Sequence, residues 1–365
     1  MKNLLIVDTT WPINSRTERF RLSLIKKYSV SVSSWNRGEI VNNEMENTYL
    51  LNSNIKYGNR LKKLISLPKF ILHNIRVAKN IKPEIIFASH WDSLCCAVVI
   101  KFFYKKNVKI IYDCLDLPTS SNWILLKILK KIESLNLLYT DFIIFASRHY
   151  PELYELKQDY LVFENYPSKD ISKHREPPLW DSSISKLKMS NGKIISWIGV
   201  VRYPDILCNL IEAIKNLNVK LLVFGDGPSL EFLKKYVSSN QLEKKVVFLG
   251  RYQQSDLPYI YDVTDFVWAA YPTLDFNSIY AISNKYFESS LFSKVPIFSK
   301  KTKMAESLAC NNNVLTVDEY DIGNINKTLS EAVNKDWGKI PFIKYELDKY
   351  WEDEEYKLLE AISYL

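Results

Sequence analysis

Long hydrophobic runs and paired cysteines are both missing from this sequence of 365 residues. No apolar run reaches the roughly 20 residues that a membrane-spanning helix needs, and the first residues have the short apolar core of a strand instead of a signal peptide. The five cysteines show no C-x-x-C spacing, which favours reduced thiols in a cytoplasm over a disulfide framework or a zinc site. The apolar content of 47% and the charged content of 25% are typical of a soluble globular protein, and the length predicts two domains.

Patterns that bind metal ions are also missing. The sequence has no Asp-x-Asp triplet and no cluster of His and Cys with the spacing of metal ligands. We therefore predict no metal site and no cofactor. Where a phosphate binds, we expect Arg, Lys and helix N-termini to neutralise it in place of Mg²⁺.

Positive charge is concentrated in the first half of the chain. Residues 1–170 contain 25 Lys and Arg against 16 Asp and Glu, whereas residues 171–365 contain 24 against 25. Two segments, 56–82 and 123–138, mix cations with apolar residues, and the first has no acid at all. Such segments are typical of helices that rest on an anionic membrane surface, or of helices that pack on a sheet and show Lys to water. Nucleic acid is not an expected partner, because no binding motif accompanies the charge.

Apolar, β-rich runs alternate with helix-length segments along the chain. Six runs lie between residues 4 and 163, and six more between residues 194 and 317. This alternation predicts an α/β fold with parallel strands and crossover helices. The pattern stops at 169–192, where prolines and serines predict a linker. We therefore predict two doubly wound, Rossmann-like domains facing a cleft, over 1–168 and 193–344.

A further amphipathic helix is predicted at 345–365. Trp351, Leu358 and Ile362 recur there at helical spacing. This helix can cap its own domain or cross back to the first one, and the sequence leaves both arrangements open.

The segment 277–288 contains the densest group of candidate binding residues. It follows a predicted strand and opens a helix predicted at 283–292. A helix N-terminus at the end of a parallel strand offers unpaired N–H groups and a positive dipole to a phosphate. An amphipathic helix whose polar residues merely face water is the alternative. The candidates are Asn277, Tyr280, Ser283, Asn284, Lys285, which can pair with a phosphate, and Glu288, which can accept a sugar hydroxyl.

Two glycine-containing turns follow strands in the second half. Gly199 allows close approach of the backbone to a ligand, and Arg202, three residues later, can form a fork to a diphosphate. Gly225, in the sequence Phe-Gly-Asp-Gly-Pro, stands between a strand and a predicted helix. A plain tight turn and a surface arginine would explain the same residues without a ligand.

Polar residues also follow two predicted strands of the first half. His90 lies in Ala-Ser-His-Trp-Asp, between a strand and a helix, and a structural histidine is the alternative to a functional one. Asp113 and Asp116 follow the next strand. Each can orient an acceptor or act as a base, or else cap a helix.

The order of these motifs resembles the C-terminal domain of GT-B glycosyltransferases, family 4 in particular. The similarity covers about 193–335 well and 1–165 more loosely. In that family the domain binds a sugar nucleotide. The resemblance implies that Glu288 binds the ribose, that Arg202 binds phosphate, and that the backbone near Gly250 and Arg251 meets the nucleobase. It also implies that His90 lies near the transferred sugar.

The chain departs from the family pattern at three places. Tyr280 stands where the family has the first acid of a glutamate pair, and Asp205 stands near the position of a second phosphate-binding cation, which Lys285 is expected to replace. The first loop lacks the usual paired glycines, so Arg16 and Arg19 are expected to face the diphosphate or the acceptor instead.

The resemblance implies a glycosyltransferase with a UDP- or GDP-linked donor and a glycan or polyprenyl-linked acceptor, acting in the synthesis of a surface polysaccharide such as a capsule. It implies retention at the anomeric carbon without a metal ion, with His90 and Asp116 as the catalytic candidates. Together with the basic segments, it predicts a cytoplasmic protein, peripheral at the inner face of the cell membrane. The alternatives are a non-catalytic GT-B subunit that partners a transferase and a sugar-nucleotide epimerase.

Overall fold

The chain is divided into two α/β units. The first unit comprises 1–165 together with 354–365, and the second comprises 166–353. The computed structural model describes residues 1–38, 46–53, 55, 60–120, 122–172 and 192–365. Most of the predicted linker therefore lies outside the described residues, as does the beginning of the basic segment predicted at 56–82.

The first unit is built on a parallel sheet of seven strands. The strands are β1 (Asn3–Asp8), β2 (Ser29–Asn36), β3 (Thr48–Asn52), β4 (Ile85–Ser89), β5 (Lys109–Cys114), β6 (Phe142–Phe145) and β7 (Asp159–Val162). Their order in the sheet is β3-β2-β1-β4-β5-β6-β7. Strand β3 was not predicted, because it is a short edge strand whose side chains are only half buried.

Four α-helices of the first unit connect these strands. They are α1 (Ser15–Leu24), α2 (Arg60–Ile81), α3 (His90–Phe103) and α4 (Trp123–Leu137). Asn14 caps α1 and Asn122 caps α4, each accepting backbone N–H groups of the first turn. Between β6 and β7 the chain forms a 3₁₀ turn at Pro151–Leu153.

The second unit is built on a parallel sheet of six strands. They are β8 (Lys193–Ile198), β9 (Val219–Phe224), β10 (Val246–Gly250), β11 (Phe266–Ala269), β12 (Val295–Ser299) and β13 (Leu315–Val317). The order is β10-β9-β8-β11-β12-β13. Successive strands are added on one side of β8 as far as β10 and then on its other side from β11 onward, so the strand order reverses between β8 and β11. The central strands β8, β9, β11 and β12 are almost fully buried, because helices cover both faces, whereas the edge strands β10 and β13 are partly exposed. The predicted α/β fold of two doubly wound parallel sheets is confirmed.

The helices of the second unit follow its strands in turn. They are α5 (Pro204–Ile214), α6 (Leu230–Ser239), α7 (Leu257–Val263), α8 (Phe276–Tyr280), α9 (Asn284–Leu291), α10 (Lys303–Ser307) and α11 (Ile322–Asn334). None of the helices in the described part of the chain combines the length and the hydrophobicity that crossing a bilayer requires.

The last helix, α12 (Trp351–Ala361), is shorter than the helix predicted at 345–365. From residue 354 onward the chain is grouped with the first unit. Leu358 and Ile362 are fully buried, and the Tyr28 hydroxyl donates to the carbonyl of Ile362 at 3.3 Å. The final residues thus complete the core of the unit that also contains the first strand.

Candidate functional site

A cavity of about 640 Å³ opens at the carboxyl end of strands β8, β9 and β10. The loops that follow these strands form its lining, which consists of Gly199, Val200, Gly225, Asp226, Gly227, Arg251 and Tyr252. Loops of a parallel sheet converge at this edge, beside the place where strand order reverses. Three predicted donor-binding residues, Gly199, Gly225 and Arg251, therefore line a single cavity.

The glycines of this cavity allow two loops to pack backbone against backbone. Gly225 has a φ of 136°, and a Cβ atom there would lie 1.8 Å from the carbonyl oxygen of Gly199. At Gly227 a Cβ atom would lie 2.4 Å from the carbonyl oxygen of Val201. Gly199 itself has a φ of 145° with no atom within 4 Å of the Cβ position, so its backbone borders open space.

An accessible ion pair stands at the cavity. The Nε of Arg251 donates to Oδ2 of Asp226 at 2.9 Å, and the N–H of Gly227 donates to Oδ1 at 2.7 Å. The Arg251 hydrogen bond, followed by that from Gly227, lowers the pKa of Asp226. The Arg251 side chain is 85% exposed. A ligand in the cavity would thus meet an accessible guanidinium as well as the predicted backbone.

A buried ion pair lies within the first turns of α9. Ser283 caps this helix by accepting the N–H of Lys285 at 3.2 Å. The ammonium of Lys285 contacts Glu288, and the Tyr261 hydroxyl donates to the same Oε2 at 2.7 Å. Burial disfavours the charge on Lys285, but the attraction of Glu288, its hydrogen bond and the nearby tyrosines together outweigh burial and raise the pKa of Lys285. Lys285 therefore stays charged and is directed toward Glu288; its predicted contact with a phosphate remains a prediction.

Tyr252 connects the cavity to this pair. It lines the cavity and is partly buried, and burial raises its pKa. Lys285 and Glu288 lie within electrostatic range of the same hydroxyl and act on its pKa in opposite directions. The ion pair and the cavity therefore belong to one polar region.

Arg202 lies at the same edge of the sheet, outside the cavity lining. Its guanidinium carbon lies 4.9 Å from the ring centre of Tyr203, whose ring centre is 6.2 Å from that of Tyr271. The hydroxyl of Ser283 donates to that of Tyr271 at 3.4 Å. A chain of contacts thus runs from Arg202 to the cap of α9. Arg202 is exposed and accessible to an anion.

The other predicted donor-binding residues do not line the cavity. Asn277 and Tyr280 lie on the short helix α8, where the Tyr280 ring packs 5.0 Å from that of Phe276. Asn284 is exposed at the start of α9. The loop before α8 is held by Glu319, which accepts both the N–H and the hydroxyl of Thr273. No motif or spacing in the sequence pointed to Glu319.

A second cavity, of about 320 Å³, lies in the first unit and is lined by both catalytic candidates. His90 begins α3 with a φ of 70°, an uncommon conformation for a residue with a side chain. Asp116 is exposed in the loop after β5. In the same lining Asp92 contacts the ammonium of Lys63, and the hydroxyl of Thr9 donates to Asp92 at 3.1 Å. Burial opposes ionisation of Asp92, but Lys63, His90 and the hydrogen bonds outweigh it and lower its pKa.

Two sequence expectations for the first unit are wrong. Arg16 does not face a ligand; it is fully buried, with Nη2 3.0 Å from Oδ1 of Asp113 and 2.6 Å from the carbonyl oxygen of Phe163. Asp113 is also fully buried, and its carboxylate is paired with Arg16. It therefore neither caps a helix nor reaches an acceptor. Arg19 contacts the side chain of Asn165.

Sequence reasoning missed several residues of both cavities. Asp226 and Asp92 lie within motifs that were singled out for their neighbours, so local signals for them existed. Lys63, Thr9, Tyr252 and Tyr261 become neighbours of the site only through the fold. In the described ranges no group of three His, Cys, Asp or Glu side chains is arranged to hold a metal ion.

Comparisons with known proteins give one curated relative and many similar structures. No family model matches the chain. The succinoglycan biosynthesis protein ExoL of Rhizobium meliloti (strain 1021) is 23% identical over 266 residues, which are 67% of this chain and 62% of that protein. The match thus spans less than two thirds of the relative's length.

Several solved structures resemble this chain over its whole length. Sucrose-phosphate synthase from Thermosynechococcus elongatus has a TM-score of 0.74 at 12% identity and covers 100% of this chain and 98% of its own. HepE of Anabaena, solved with UDP and glucose, has a TM-score of 0.74 at 14% identity and covers 100% of both chains. These likenesses show that the chain has the GT-B fold, with two doubly wound α/β units.

Proposed function

We propose that this protein is a glycosyltransferase of surface polysaccharide synthesis that uses a nucleoside diphosphate sugar. The observation that carries the proposal is the polar region at the carboxyl edge of the second sheet. There a glycine-lined cavity, an exposed arginine and a capped helix with a buried Lys–Glu pair occur together in a GT-B fold. The names of ExoL and of HepE, which was solved with UDP and glucose, support the same reading.

Glu288 is well suited to bind a ribose hydroxyl. Its contacts from Lys285 and Tyr261 both use Oε2. Within the described part of the chain Oε1 accepts no hydrogen bond. It is not among the fully buried polar atoms that lack a partner, so it keeps some exposure. A carboxylate held rigidly on one side and open on the other can accept a hydroxyl with little loss of side-chain entropy.

Positive charge for the diphosphate would come from the same edge. Arg202 is exposed there, and the first turn of α9 directs its N–H groups and dipole toward the end of the sheet. Arg251 can leave Asp226 to reach a nucleotide, because both partners are accessible. Neutralisation by these groups is our reason to propose a metal-independent reaction.

In the proposed reaction an acceptor hydroxyl oxygen forms a bond to the anomeric carbon of the donor sugar. The bond from that carbon to the diphosphate oxygen breaks, and its electron pair leaves with the nucleoside diphosphate. The hydroxyl proton is released, so that the products are a glycoside, a nucleoside diphosphate and a proton. We propose retention at the anomeric carbon, with His90 and Asp116 as the catalytic residues.

The first unit carries a surface suited to an anionic membrane. Outward positions of α2 recur every three or four residues and comprise Lys62, Ile65, Lys69, Leu72, Arg76 and Lys79, with no acid in the helix. Helix α4 exposes Trp123, Ile124, Ile128 and Leu135 beside Lys127 and Lys131, and its one acid, Glu133, is buried. We propose peripheral attachment at the inner face of the cell membrane through this surface, called here the basic face.

Screening sugar nucleotides by thermal shift tests the donor claim. A donor at 100 times its Kd adds about 2.7 kcal/mol to the free energy of unfolding, which raises Tm by several degrees. UDP- and GDP-linked hexoses should be compared with the free sugars. If none of the nucleotides raises Tm, the donor claim is wrong.

Glu288→Gln tests the residue that would hold the donor. The amide keeps the shape and the Tyr261 hydrogen bond but leaves the buried Lys285 without its counter-charge, so some stability is lost. We expect transfer or donor hydrolysis to fall at least tenfold, with a smaller ligand-induced shift. Glu231→Gln is the matched control, because Glu231 forms an i,i+3 pair with Lys234 on an exposed surface. Donor binding without any turnover in the unmodified protein would favour the alternative function, a non-catalytic GT-B subunit. The specific reason to consider this alternative is Tyr280, which stands in place of an acid.

A further inference from the structure

The cavity of the first unit has two chemically different ends. Its lining at the strand ends is mostly polar and comprises Thr9, Thr10, His90, Trp91, Asp92, Asp116, Thr119 and Ser120, to which α2 adds Lys63. Its aliphatic lining comprises Leu64 and Leu67 of α2, Leu125 and Leu129 of α4, and Leu117 of the loop after β5. A purely polar ligand would leave these leucines in contact with water or with the hydroxyls of the ligand, which a complementary pocket avoids.

The polar end is suited to sugar hydroxyls more than to a phosphate. The one lysine of this end is already matched by the buried carboxylate of Asp92, and Asp116 adds a further negative charge. Carboxylates, hydroxyls and an imidazole offer both donors and acceptors to a hexose. The polar end therefore fits the head of a glycan.

The aliphatic wall continues onto the outer surface of the unit. Leu64 lines the cavity, and the next residue, Ile65, is 70% exposed. Leu125 lines it as well, and Trp123 and Ile124 just before it are 64% and 53% exposed. All of these residues lie in the first two turns of α2 and α4, so apolar surface runs from inside the cavity onto the basic face.

We propose that the acceptor of this protein is an amphiphile, a sugar carried on a hydrocarbon chain. The sugar head binds among Thr9, His90 and Asp116, and the first methylenes of the chain lie between α2 and α4 on their way to the bilayer. The inference rests on the proposed glycosyl transfer and decides between a water-soluble glycan and a lipid-linked one. It also explains why the same two helices carry the exposed apolar residues of the basic face.

Alkyl glucosides of different chain length are suitable probes. Methyl, hexyl and decyl glucoside share one head group, and each is used as a monomer, below its micelle concentration, with the full chain and no membrane. Burial of a methylene strengthens binding up to about fourfold. We expect decyl glucoside to bind at least 100-fold more tightly than methyl glucoside in a calorimetric titration.

Two variants test where the hydrocarbon chain of the ligand lies within the cavity. Leu67→Gln and Leu125→Gln each place an amide in the aliphatic wall, from opposite helices, at positions that are only partly buried and so tolerate a polar group. Each should weaken decyl glucoside binding at least tenfold and leave methyl glucoside unaffected. Leu22→Gln is the control, because Leu22 is an exposed leucine of α1 in the same unit and lies outside the cavity lining.

The outcomes separate the two proposals when a donor thermal shift is measured on the same samples. Equal affinity for methyl and decyl glucoside would overturn the amphiphile inference, as would decyl glucoside binding that neither cavity variant weakens. In both cases a donor-induced rise in Tm leaves the proposed function standing. If no sugar nucleotide raises Tm, the proposed function fails whatever the glucosides do.

Discussion

At the scale of single residues, the loops after β8 and β9 show how strictly the cavity depends on glycine. The carbonyl oxygen of Gly199 lies where a Cβ atom of Gly225 would be, and the N–H of Gly225 donates to the carbonyl of Gly250 at 2.6 Å. The three turns therefore support one another through backbone atoms. A methyl group at the central position would push the neighbouring loop away.

Gly225→Ala should lower the free energy of unfolding by about 3 kcal/mol, since it combines a steric overlap with an unfavourable φ. Gly250→Ala is the matched control. Gly250 has a φ of 75°, but no atom lies within 4 Å of its Cβ position, so only the conformational strain of about 1–2 kcal/mol applies. Guanidinium unfolding of both variants measures the difference. Equal losses would show that the close approach of the loops has no energetic weight.

Residue types and spacing predicted the parts of the site that are local. The glycine turns and the capped start of α9 could be found because each needs its particular residues within a short segment. Arg16 was misjudged because its partner, Asp113, lies on a distant strand and the ion pair is created by the fold. The contact of Tyr261 with Glu288 was missed for the same reason.

At the scale of elements, α4 has a polar group in the middle of its inner face. Leu129, Glu133 and Leu137 recur every four residues and are buried. The hydroxyls of Tyr112 and Tyr154 donate to the two oxygens of Glu133, at 2.5 and 3.0 Å. Burial raises the pKa of Glu133 to about 7, although both hydrogen bonds and the nearby Lys130 act in the opposite direction. The packing of this helix is thereby linked to pH.

The folded protein should hold a proton on Glu133 that the unfolded chain releases near pH 4.5, the ordinary pKa. Between about pH 4.5 and 7 the folded state binds more protons, so this group's contribution to stability is full below that window and falls as the pH rises through it. The slope reaches about 1.4 kcal/mol per pH unit. Glu133→Gln should lack this loss, as urea unfolding at about pH 5 and pH 7 would show. Glu360→Gln, at an exposed position of α12, should keep the wild-type dependence; the linkage would be refuted if the Glu133→Gln variant kept it too.

Element prediction succeeded where hydrophobicity is continuous. Each of the twelve predicted runs overlaps a strand, because strands covered on both faces need unbroken apolar sequence. Strand β3 and the short helices α7, α8 and α10 were missed, since elements of five to seven residues have too little periodicity.

At the scale of the whole molecule, charge is distributed unequally between the units. The basic excess of residues 1–170 is displayed on α2 and α4, whereas the remainder of the chain is nearly neutral. A surface of this kind attracts anionic lipid through many weak contributions, each worth about 1 kcal/mol and reduced by salt.

The protein should bind vesicles that contain phosphatidylglycerol and not vesicles of phosphatidylcholine alone, and the binding should weaken as salt is raised. The double variant Lys69→Glu, Lys127→Glu should reduce the vesicle-bound fraction in a sedimentation assay, with at least a tenfold loss of affinity. Lys244→Glu, Lys327→Glu changes the net charge equally at exposed sites of the second unit. If both double variants lose the same affinity, net charge and not the basic face determines attachment.

The grouping of 354–365 with the first unit has a consequence for biosynthesis. Domains usually fold in the order in which they leave the ribosome. Here Leu358 and Ile362 are translated only after all of 166–353, yet they fill the interior next to Tyr28. The first unit can therefore be completed only after 166–353 have been synthesised, and until then its nascent form leaves that apolar surface uncovered.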